Sequence, residues 1–482
     1  MDHNPNSPYR PEPRHIEIGE SLYDVVAPAA FPSHILRFRN QRAAEAVGLG
    51  GLDDEAWVNH FARFSPLPRN LPVPLALRYH GHQFRHYNPD LGDGRGFLFA
   101  QLRSGVRLLD LGTKGSGTTP WSRGGDGRLT LQGGVREVLA AEQQEALGVP
   151  TCRIFSLIET GEALDRHDED SPTRGAVMVR LQHSHIRIGT FQRLAHTGDL
   201  GTLKRLVEHC LELHHPFAEG PAGLLAAARR AMARTCGAWM AAGYVHGVLN
   251  TDNLNITGES FDFGPWRFLP FLDPNFTAAY FDHNGLYAYG RQPEAVAWNL
   301  RQLTLALSEI ERAEPLAAAL QGFDTDLDEA LRRQLLWRLG LQATGTPADG
   351  RLVEILLKTL TESRLRFDRF FFDWYGGASA RALSGPFGGL YQRRWFSSLR
   401  SAIEAQPVRP DLQPMPDQPC EMLIDEVRAI WANIAQADDW SSFYNKLAAV
   451  RNLGRTLGTS PCAAAAHAGH LGAPGALDPR IE

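Results

Sequence analysis

The chain has 482 residues, 43% of them hydrophobic and 21% charged, and its formal net charge is −5. These proportions are ordinary for a soluble globular protein, and the slightly acidic balance gives no electrostatic reason to expect nucleic acid or an anionic membrane as a partner. The opening residues 1–13 are polar and proline-rich, and no stretch approaches the roughly 20 apolar residues of a membrane span. We therefore expect a cytoplasmic protein that binds neither nucleic acid nor membrane.

Helical patterns come first along the chain, at Phe31–Val47 and Asp53–Phe64, and a proline-rich segment, Ser65–Pro74, follows the second of them. The pattern then changes to that of short strands. Two are predicted, at Arg95–Arg103 and Val106–Leu111, on either side of a Ser-Gly turn. The chain therefore combines helices with strands.

A glycine-rich, polar loop is predicted from Gly112 to Arg128, and it contains Lys114. Glycine lets backbone amides approach a phosphate closely, and Lys or Arg neutralises the charge of that phosphate. The same combination occurs earlier, in Gly92-Asp-Gly-Arg95. The order of a Walker motif is absent and Gly-Asp-Gly is commonly an ordinary turn, so each segment alone is a weak indication.

The apolar stripe from Val135 to Leu147 predicts a helix, and this helix carries Glu137. In protein kinases a strand Lys holds phosphate oxygens and pairs with a helix Glu. Lys114 and Glu137 come in that order, so we expect them to form an ion pair. The alternative is a surface lysine and a solvated helix glutamate, which is the commoner state of both residue types.

Two further strands, Thr151–Ile158 and Ala176–Leu181, precede a helical region that runs from Thr190 to Ala242. Arg180 and Arg187 flank a His-Ser-His run at the end of the second strand. Arginine in this position fits phosphate neutralisation, although arginine is also common as plain surface charge.

The next segment, His246-Gly-Val-Leu-Asn-Thr-Asp-Asn253, has the length of the kinase catalytic loop His-Arg-Asp-x-x-x-x-Asn, and Asp262-Phe-Gly follows it. Asn253 and Asp262 fall on the two metal-binding positions. Their amide and carboxylate oxygens suit a hard divalent cation that carries a nucleotide triphosphate. Each motif alone is often a simple turn, but the two in this order predict a metal–nucleotide site.

The third position of this loop, which is the catalytic Asp of a kinase, is Val248 here, and a carboxylate appears instead at Asp252. Simple kinase chemistry is therefore disfavoured. A kinase-type phosphotransferase and a catalytically silent, nucleotide-binding pseudokinase scaffold both stay open as alternatives. The second carboxylate beside the metal-binding Asn argues against the scaffold, because a scaffold has no need of it.

Together these motifs resemble the selenoprotein O family, also called SelO or YdiU, whose members are kinase-like protein adenylyltransferases. The match runs in order from roughly residue 70 to residue 310, and a set of this size is very specific. The segments that carry it are His80-Gly-His-Gln-Phe84, Leu91-Gly-Asp-Gly-Arg95, Lys114-Gly-Ser-Gly-Thr-Thr-Pro-Trp-Ser-Arg123, Asp126-Gly-Arg128, Val135-Arg-Glu-Val138, Val179-Arg180, Ser184-His-Ile-Arg187, His246 to Asn253, Asp262-Phe-Gly-Pro265, Phe271-Leu-Asp-Pro-Asn275 and Trp298-Asn-Leu300.

The resemblance implies a nucleotidyltransferase that moves AMP from ATP to Ser, Thr or Tyr hydroxyls of substrate proteins and releases pyrophosphate, with Mg²⁺ or Mn²⁺ as cofactor. In this family ATP lies reversed relative to a kinase, so that the acceptor attacks the α-phosphorus. Carried over by motif, the roles are Asp252 as proton acceptor, Asn253 and Asp262 as metal ligands, Glu137 as the partner that orients Lys114, and Gly92, Gly94, Arg95, Lys114, Asp126, Gly127, Arg180, Arg187 and Asp262 around the nucleotide.

The C-terminal part departs from the family pattern, which is typical of a short, divergent member. The five cysteines are scattered, with no Cys-x-x-Cys pair, so the sequence indicates neither the common zinc spacings nor a terminal redox bridge. The closely spaced histidines lack companion ligands, and we interpret them as hydrogen-bonded structural residues rather than zinc ligands. They are His80, His82, His86, His183 and His185.

The fold implied by the resemblance is α+β and protein-kinase-like, with a small strand-containing N-lobe and a mainly helical C-lobe that has family-specific additions. The chain would divide into an N-terminal extension with helices at 1–70, a nucleotide-binding N-lobe at 71–190, a helical lobe with the catalytic and metal loops at 191–310, a helical C-terminal region at 311–458, and a mobile tail at 459–482.

Overall fold

The structure is a computed structural model that describes residues 8–167, 171–377 and 379–468. Its strands are β1 (Tyr23–Val25), β2 (Ile35–Arg39), β3 (Leu75–Leu77), β4 (Gly81–Gln83), β5 (His86–Asn88), β6 (Leu98–Ser104), β7 (Arg107–Lys114), β8 (Leu129–Thr130), β9 (Arg153–Leu164), β10 (Thr173–Gln182), β11 (Tyr244–Val245) and β12 (Arg267–Phe268). Its helices are α1 (Gln41–Ala46), α2 (Asp54–Phe61), α3 (Leu131–Ala146), α4 (Ile188–Thr197), α5 (Leu200–Leu213), α6 (Gly220–Ala242), α7 (Gln292–Leu307), α8 (Ala313–Leu320), α9 (Phe323–Arg338), α10 (Pro347–Ser363), α11 (Phe367–Asp373), α12 (Ser379–Ser384), α13 (Gly388–Tyr391), α14 (Ser397–Glu404), α15 (Ile424–Ala437), α16 (Ser441–Leu457) and α17 (Pro461–Ala468).

An antiparallel sheet of eight strands organises the N-terminal part of the chain. Seven strands follow the order β1-β3-β6-β7-β10-β9-β2, and β8 pairs with β10. In the central pair, Arg180 lies opposite Gly112 and Lys114 lies opposite Met178. Paired residues, and residues two apart on one strand, point to the same face of a sheet. Lys114 and Arg180 therefore share one face.

Helix α3 covers this face of the sheet. Its start is capped by Thr130, whose side-chain oxygen accepts a hydrogen bond from the backbone of Gly133. One turn of the helix comes very close to β9, since a Cβ on Gly134 would lie 2.4 Å from Leu157 Cδ1. Val138 is fully buried in the core between helix and sheet. This close packing brings Glu137 within reach of the sheet's basic residues.

The opposite face of the sheet packs against helix α2 through aromatic side chains. Trp57 stacks on Phe155 of β9 with ring centroids 4.9 Å apart, and Phe61 meets the edge of the same ring. Trp57 Nε1 donates a hydrogen bond to Ser156 Oγ, so the buried indole N–H is satisfied. The sheet thus has an apolar core on each side, and the basic residues belong to the α3 side.

The long helix α6 is central to the helical part and packs against α7, α8 and α9. It ends at Gly243, which has φ 68°, a left-handed conformation that glycine adopts without strain. Strand β11 follows directly and pairs with β12. The segment between these two strands contains both the His246–Asn253 loop and the Asp262-Phe-Gly turn. The β11–β12 pair therefore brings the two ends of this segment together.

The C-terminal helix α16 packs on the outer side of α3. Gly454 permits the approach, because a Cβ there would lie 3.2 Å from Ala146 Cα. Arg451 donates two hydrogen bonds of 2.7 Å to the carboxylate of Glu142 on α3. Helix α3 is therefore held between the sheet and a helix from the far end of the sequence.

The prediction of one helix at Phe31–Val47 is wrong in its first half. Ile35–Arg39 is an edge strand paired with β9, and only Gln41–Ala46 is helical, with Asn40 as the N-cap. In such a short window the apolar residues fit either period, and pairing with the free edge of β9 decides for the strand. Strand β7 also extends further than predicted, so Lys114 ends a strand rather than standing in the loop.

The tail expected to be mobile from residue 459 begins with a helix at Pro461–Ala468. The remainder of that prediction, residues 469–482, lies outside the described residues. Among the helices of the described residues, none is both long and apolar enough to cross a bilayer. The observed architecture is thus a mixed one, with an antiparallel sheet followed by many helices.

Candidate active site

The basic face of the sheet meets the Asp262 carboxylate. Arg180 Nη1 lies 2.5 Å from Asp262 Oδ1, and Lys114 Nζ lies 3.4 Å from the same oxygen. Arg187 Nη1 lies 3.5 Å from the other oxygen. One carboxylate from the helical part of the chain is therefore surrounded by three cations from the sheet and the segment after it.

The predicted ion pair between Lys114 and Glu137 is present. Lys114 Nζ donates to Glu137 Oε1 over 2.6 Å, and both side chains are about nine-tenths buried. The second carboxylate oxygen of Glu137 is buried without a hydrogen-bond partner among the described residues. Lys114 is consequently fixed between a helix carboxylate and Asp262, with its ammonium group directed into the site.

Asp262 has an unusual backbone and a strongly shifted pKa. Its φ is 48°, in the left-handed region that residues other than glycine seldom adopt. Burial alone would raise the pKa of this carboxyl, but the neighbouring cations, Arg180 first among them, hold the pKa well below its usual range. The three cations therefore strongly favour the anionic form of Asp262.

Arg187 is nearly inaccessible to solvent and joins several parts of the site. Its guanidinium lies 4.1 Å from the ring centre of Tyr79 and 5.0 Å from that of Phe261. It donates to the backbone oxygen of Asp252 over 3.2 Å and lies 3.5 Å from Asp93. The position of this cation is thus fixed by aromatic faces on two sides and by acceptors on the others.

Asp252 differs sharply from Asp262 in its surroundings. Its Oδ1 atom is buried and has no hydrogen-bond partner among the described residues. Burial raises the pKa of this carboxyl to about 6, and the charge of Arg187 opposes the shift only in part. Gly81 leaves the space in front of it open, since a Cβ there would lie 3.0 Å from Oδ1. This carboxylate is suited to accept a proton near neutral pH.

The residues before Asp252 are held by a network that reaches across the molecule. The backbone N–H of His82 donates to Thr251 Oγ1 over 2.7 Å. Asn250 Oδ1 accepts from the backbone of Phe84 and from the Tyr287 hydroxyl. Two segments distant in sequence therefore fix the geometry of the loop, and Asp252 itself sits in a single 3₁₀ turn at Thr251–Asn253.

Asn253 and Asp262 supply the oxygen atoms that a hard cation requires. Asn253 Nδ2 donates to the backbone oxygen of Val248 over 2.9 Å, which leaves its Oδ1 without a partner among the described residues. An amide oxygen and a carboxylate fit Mg²⁺ or Mn²⁺ in chemistry. The described residues contain no cluster of three or more His, Cys, Asp or Glu side chains that would hold a metal by themselves. Phosphate and water oxygens would have to complete such a coordination shell.

The glycine-rich segments pack on one another beside Lys114. A Cβ on Gly92 would lie 2.4 Å from the Trp121 ring, and a Cβ on Gly94 would lie 2.8 Å from the Trp121 backbone oxygen. The N–H of Gly115 donates to the backbone oxygen of Arg95 over 2.7 Å. Only glycine permits these approaches. The loops can therefore pack this closely only because Gly92 and Gly94, which are also candidates for binding phosphate, have no side chain.

Gly127 closes the other end of this loop. It has φ 68°, and its backbone oxygen accepts from Gly117 N over 3.2 Å. The neighbouring Asp126 is exposed and pairs with Arg166 at 2.9 Å. The Arg95 side chain is exposed as well and has no polar contact among the described residues. Neither Asp126 nor Arg95 contacts the Asp252–Asp262 group in this structure.

Three residues of the site were missed by the sequence reasoning. Asp93 lies between the two predicted glycines and faces Arg187, and its pKa is raised by burial. Tyr79 provides the ring over which Arg187 lies. Arg123 is exposed, yet its charge lowers the pKa of Asp252. Asp93 and Arg123 stand inside the recognised motifs, whereas nothing in the local sequence marks Tyr79.

Comparison with known proteins settles the family. The family model described as protein adenylyltransferase SelO matches residues 7–383. The chain belongs to this family. Relatives named protein nucleotidyltransferase YdiU occur in Gloeobacter violaceus (42% identical over 460 residues), Synechocystis sp. (40% over 461) and Synechococcus elongatus (45% over 419). The alignments cover 91%, 90% and 84% of this chain and 94%, 96% and 81% of those relatives.

Similarity to the SelO family therefore extends well outside residues 70–310, where the recognisable motifs lie. The chain spans nearly the full length of the Gloeobacter relative, so it is not short beside that protein. The C-terminal helices carry no recognisable motif, so the motifs alone could not assign them to the family.

Four of the five closely spaced histidines form the hydrogen bonds that were expected, whereas His86 is exposed and shows none through its side chain among the described residues. His80 Nδ1 lies 2.7 Å from the Tyr87 hydroxyl, and His82 Nδ1 lies 2.8 Å from Gln192 Nε2. His183 contacts Glu259 and His185 contacts Asp110. Cys152, Cys210, Cys236, Cys420 and Cys462 all have free thiols, and four of them are buried.

Proposed function

We propose that this protein transfers AMP from ATP to Ser, Thr or Tyr hydroxyls of other proteins and releases pyrophosphate. The observation that carries the proposal is the pair formed by Asp252 and Asp262. One carboxylate is buried, has an unpartnered Oδ1 among the described residues and has its pKa raised to about 6, while the other is surrounded by three cations that lower its pKa. Environments that separate two carboxylates in this way are typical of a proton acceptor beside a charge-binding group. The family and the names of the relatives agree with it.

We infer a kinase-like arrangement of two lobes for this reaction. The strand-containing lobe, 71–190, contributes Lys114 and Arg180 from adjacent strands. The helical lobe, 191–310, contributes Asp252, Asn253 and Asp262 between β11 and β12. The nucleotide would lie where these groups face one another, with residues 1–70 and 311–458 as additions around the two lobes.

The cations of the site are suited to a pyrophosphate leaving group. Lys114, Arg180 and Arg187 converge on Asp262, and they could equally neutralise phosphate oxygens once a nucleotide enters. Arg95 and the backbone amides near Gly92, Gly94 and Gly127 would bind the outer part of the same nucleotide, with Asp126 beside them. Glu137 would keep Lys114 in place throughout.

Asp252 would act as the proton acceptor for the attacking hydroxyl. The hydroxyl oxygen forms a bond to the α-phosphorus, the bond from that phosphorus to the pyrophosphate oxygen breaks, and the hydroxyl proton moves to an Asp252 oxygen. The unpartnered Oδ1 is free to receive it. A carboxyl with a pKa near 6 is largely ionised at neutral pH and returns the proton readily.

Asn253 and Asp262 would hold a divalent cation, Mg²⁺ or Mn²⁺, through their side-chain oxygens. Such a cation, when bound, supplies charge neutralisation for the triphosphate. Before it binds, Asp262 is occupied by ion pairs with Arg180 and Lys114. We therefore expect the entry of nucleotide and cation to exchange these contacts, with the arginine and lysine turning to phosphate oxygens.

Labelled nucleotides test the reaction. With ATP labelled at the α-phosphate and Mg²⁺ or Mn²⁺ present, we expect label on substrate proteins or on the enzyme itself. Replacing Asp252→Asn should lower the rate by about 10²–10⁴-fold while leaving nucleotide binding nearly unchanged, because the amide cannot accept the proton. Asp90→Asn, which makes the same change at an exposed carboxylate, is the matched control and should keep full activity.

Two outcomes would point to the other functions. Label transferred only from γ-labelled ATP would make the protein a phosphotransferase. Nucleotide-dependent stabilisation without label from either ATP, in a lysate that offers many protein substrates, would make it a pseudokinase scaffold. An unchanged rate in the Asp252→Asn variant would show that Asp252 is not the proton acceptor.

A further inference from the structure

A cavity of about 140 Å³ lies apart from the Asp252–Asp262 site. Its walls come from the first residues of β7 and β9, the end of β10, helix α6 and the loop before Ser260. Arg107 begins β7 and Lys114 ends it, so these two Cα atoms lie about 23 Å apart along the strand. The cavity wall comes closer to the site at Leu181, which is next to Arg180 in β10. No residue proposed to bind nucleotide or metal lines the cavity.

Arg234, which lines this cavity from α6, is a half-buried cation with an unsatisfied donor. Its Nε atom is inaccessible to solvent and unbonded, and its guanidinium forms no hydrogen bond or ion pair with any other described residue. Burial lowers the pKa of this arginine. Leaving such a donor unsatisfied is costly, and native proteins nearly always satisfy it with protein, water or a bound ion.

The other charged residues of the cavity leave an excess of positive charge. Arg107 Nη1 lies 3.3 Å from His183 Nε2, and burial lowers its pKa, with the nearby Arg153 adding to the effect. The two carboxylates of the wall are already engaged: Glu145 accepts from Arg153 over 2.8 Å, and Glu259 accepts from the backbone and ring of His183. Arg234 and Arg107 keep side-chain donors for which no acceptor is found among the described residues.

We propose that this cavity is a second anion site, which takes a phosphoryl group between Arg234 and Arg107. Guanidinium groups bind phosphate oxygens in a fork geometry, and both of these arginines line the same cavity. The volume is about that of a cavity that accommodates benzene, so a phosphate fits and a whole nucleotide does not. The phosphoryl group could be free phosphate, one end of pyrophosphate, or the phosphate of a larger molecule whose remainder stays outside.

Calorimetric titration of the full chain with inorganic phosphate, pyrophosphate and AMP, at constant ionic strength, tests the site. We expect binding to the unaltered protein and an affinity lower by about 30-fold or more in the Arg234→Met variant, because a buried charge partner is lost. Arg230→Met is the matched control: it removes the same charge from an exposed position on the same helix and should bind as the unaltered protein does.

The three probes identify the source of the group. Tightest binding of phosphate indicates the free ion, whereas tighter binding of pyrophosphate or AMP indicates a larger molecule. The nucleotide site could bind the same probes, so the titrations are repeated with an Arg180→Gln variant, in which the dependence on Arg234 should persist. Should Arg234→Met fail to fold, Arg107→Gln provides the same comparison.

A stability measurement separates binding from a structural role. Without phosphate, Arg234→Met should be at least as stable to urea as the unaltered protein, since the substitution removes a desolvated charge. A large loss of stability in the absence of phosphate would make Arg234 a structural residue and overturn the proposal. Binding of all three probes that is indifferent to Arg234 and Arg107, or no binding at millimolar concentrations, would overturn it as well.

Discussion

Asp252 and Asp262 belong to one site, yet their pKa values are shifted in opposite directions. Burial raises the pKa of Asp252 to about 6, and its Oδ1 atom has no hydrogen-bond partner among the described residues. Three cations outweigh burial at Asp262 and hold its pKa well below the usual range. The separation follows from which side chains the sheet presents, because Lys114 and Arg180 point at Asp262 rather than at Asp252.

The pH dependence of AMP transfer should follow the ionisation of Asp252. We expect kcat to fall as the pH drops through about 6, because the protonated carboxyl cannot accept a proton. A pH–rate profile with α-labelled ATP measures this. In the Asp252→Asn variant the residual rate should lose this dependence, and a variant that keeps the same midpoint would assign the titration to another group.

The same carboxyl should affect stability with a defined sign. Its pKa in the folded protein, about 6, exceeds the ordinary 3.8, so the folded state binds the proton more tightly than the unfolded chain does. The stabilisation from this proton is complete below the unfolded value and is lost as the pH rises through about 6. Urea unfolding on either side of that pH should show a smaller change in Asp252→Asn than in the unaltered protein.

Gly81 offers a second test at the level of a single residue. In the Gly81→Ala variant the new Cβ would lie 3.0 Å from Asp252 Oδ1 and 3.1 Å from Thr251 Oγ1, so the carboxylate must shift. We expect kcat to fall by about tenfold or more, since small displacements of a reacting group are costly. Gly51→Ala, where nothing lies within 4 Å of the new atom, is the control. Equal rates in the two variants would contradict the placement of Asp252.

Individual residues of the site were predictable where a motif fixed their order. Lys114 and Glu137 could be paired from their order along the chain, and the structure contains that ion pair. The position of Tyr79 could not be predicted, because its contact with Arg187 joins segments that no local pattern connects. The exposed positions of Arg95 and Asp126 were equally hidden, since a motif does not tell which way a loop side chain points.

Among the elements, helix α3 has the most constrained position. One side of it packs on the sheet through Gly134 and Val138, and the other side meets α16 through Gly454. Glu137 is thereby kept beside Lys114. A contact between α3 and α16, far from the site, is therefore expected to influence both the stability of the fold and the position of this ion pair.

Replacing Arg451→Met should show this influence. The substitution leaves Glu142, which is 4% exposed, without its closest cation, and we expect a loss of about 1–3 kcal/mol in the free energy of unfolding. Arg455→Met, on the same helix but bonded only to Asn452 at 3.3 Å, should change stability little. Denaturant unfolding measures the free energy of unfolding of both variants. Equal losses would show that the Arg451–Glu142 contact contributes no more to stability than the contact of Arg455 does.

The secondary-structure elements were predicted well where one apolar pattern repeats over many residues. The helix from Val135 and the region up to Ala242 are helical as expected, because many turns repeat one apolar stripe. Ile35–Arg39 was misassigned as helix, because the apolar residues in a window of five fit the helical and the strand period equally well. Pairing with the edge of β9 makes this segment a strand. The sheet order could not be read from local patterns at all, since β2 pairs with a strand distant along the chain.

In the whole molecule, the site forms only where the sheet part and the helical part of the chain meet. Lys114 and Arg180 come from the first, Asp252 and Asp262 from the second. Motif spacing predicted both groups, but their contact depends on the packing of α3 and of the network around Asn250. A ligand that bridges the two groups should therefore stabilise the entire fold.

Thermal unfolding with ATP and Mg²⁺ tests this bridging. At a ligand concentration of 100 times Kd, we expect a gain of about 2.7 kcal/mol over the ligand-free protein. Asp262→Asn should lower the ligand-free Tm, because three cations lose their shared carboxylate, and should abolish the part of the gain that depends on the metal. A metal-dependent gain of normal size in this variant would reject Asp262 as a ligand.

The partnership of α16 with α3 bears on how the protein can be shortened. The match to the family model ends at residue 383, although a relative aligns over 91% of the chain, and the helix that covers the outer side of α3 begins at Ser441. A recombinant fragment that ends at residue 383 would expose the apolar flank of α3 to water. We expect it to aggregate during expression, whereas a fragment that continues to Leu457 keeps this helix covered.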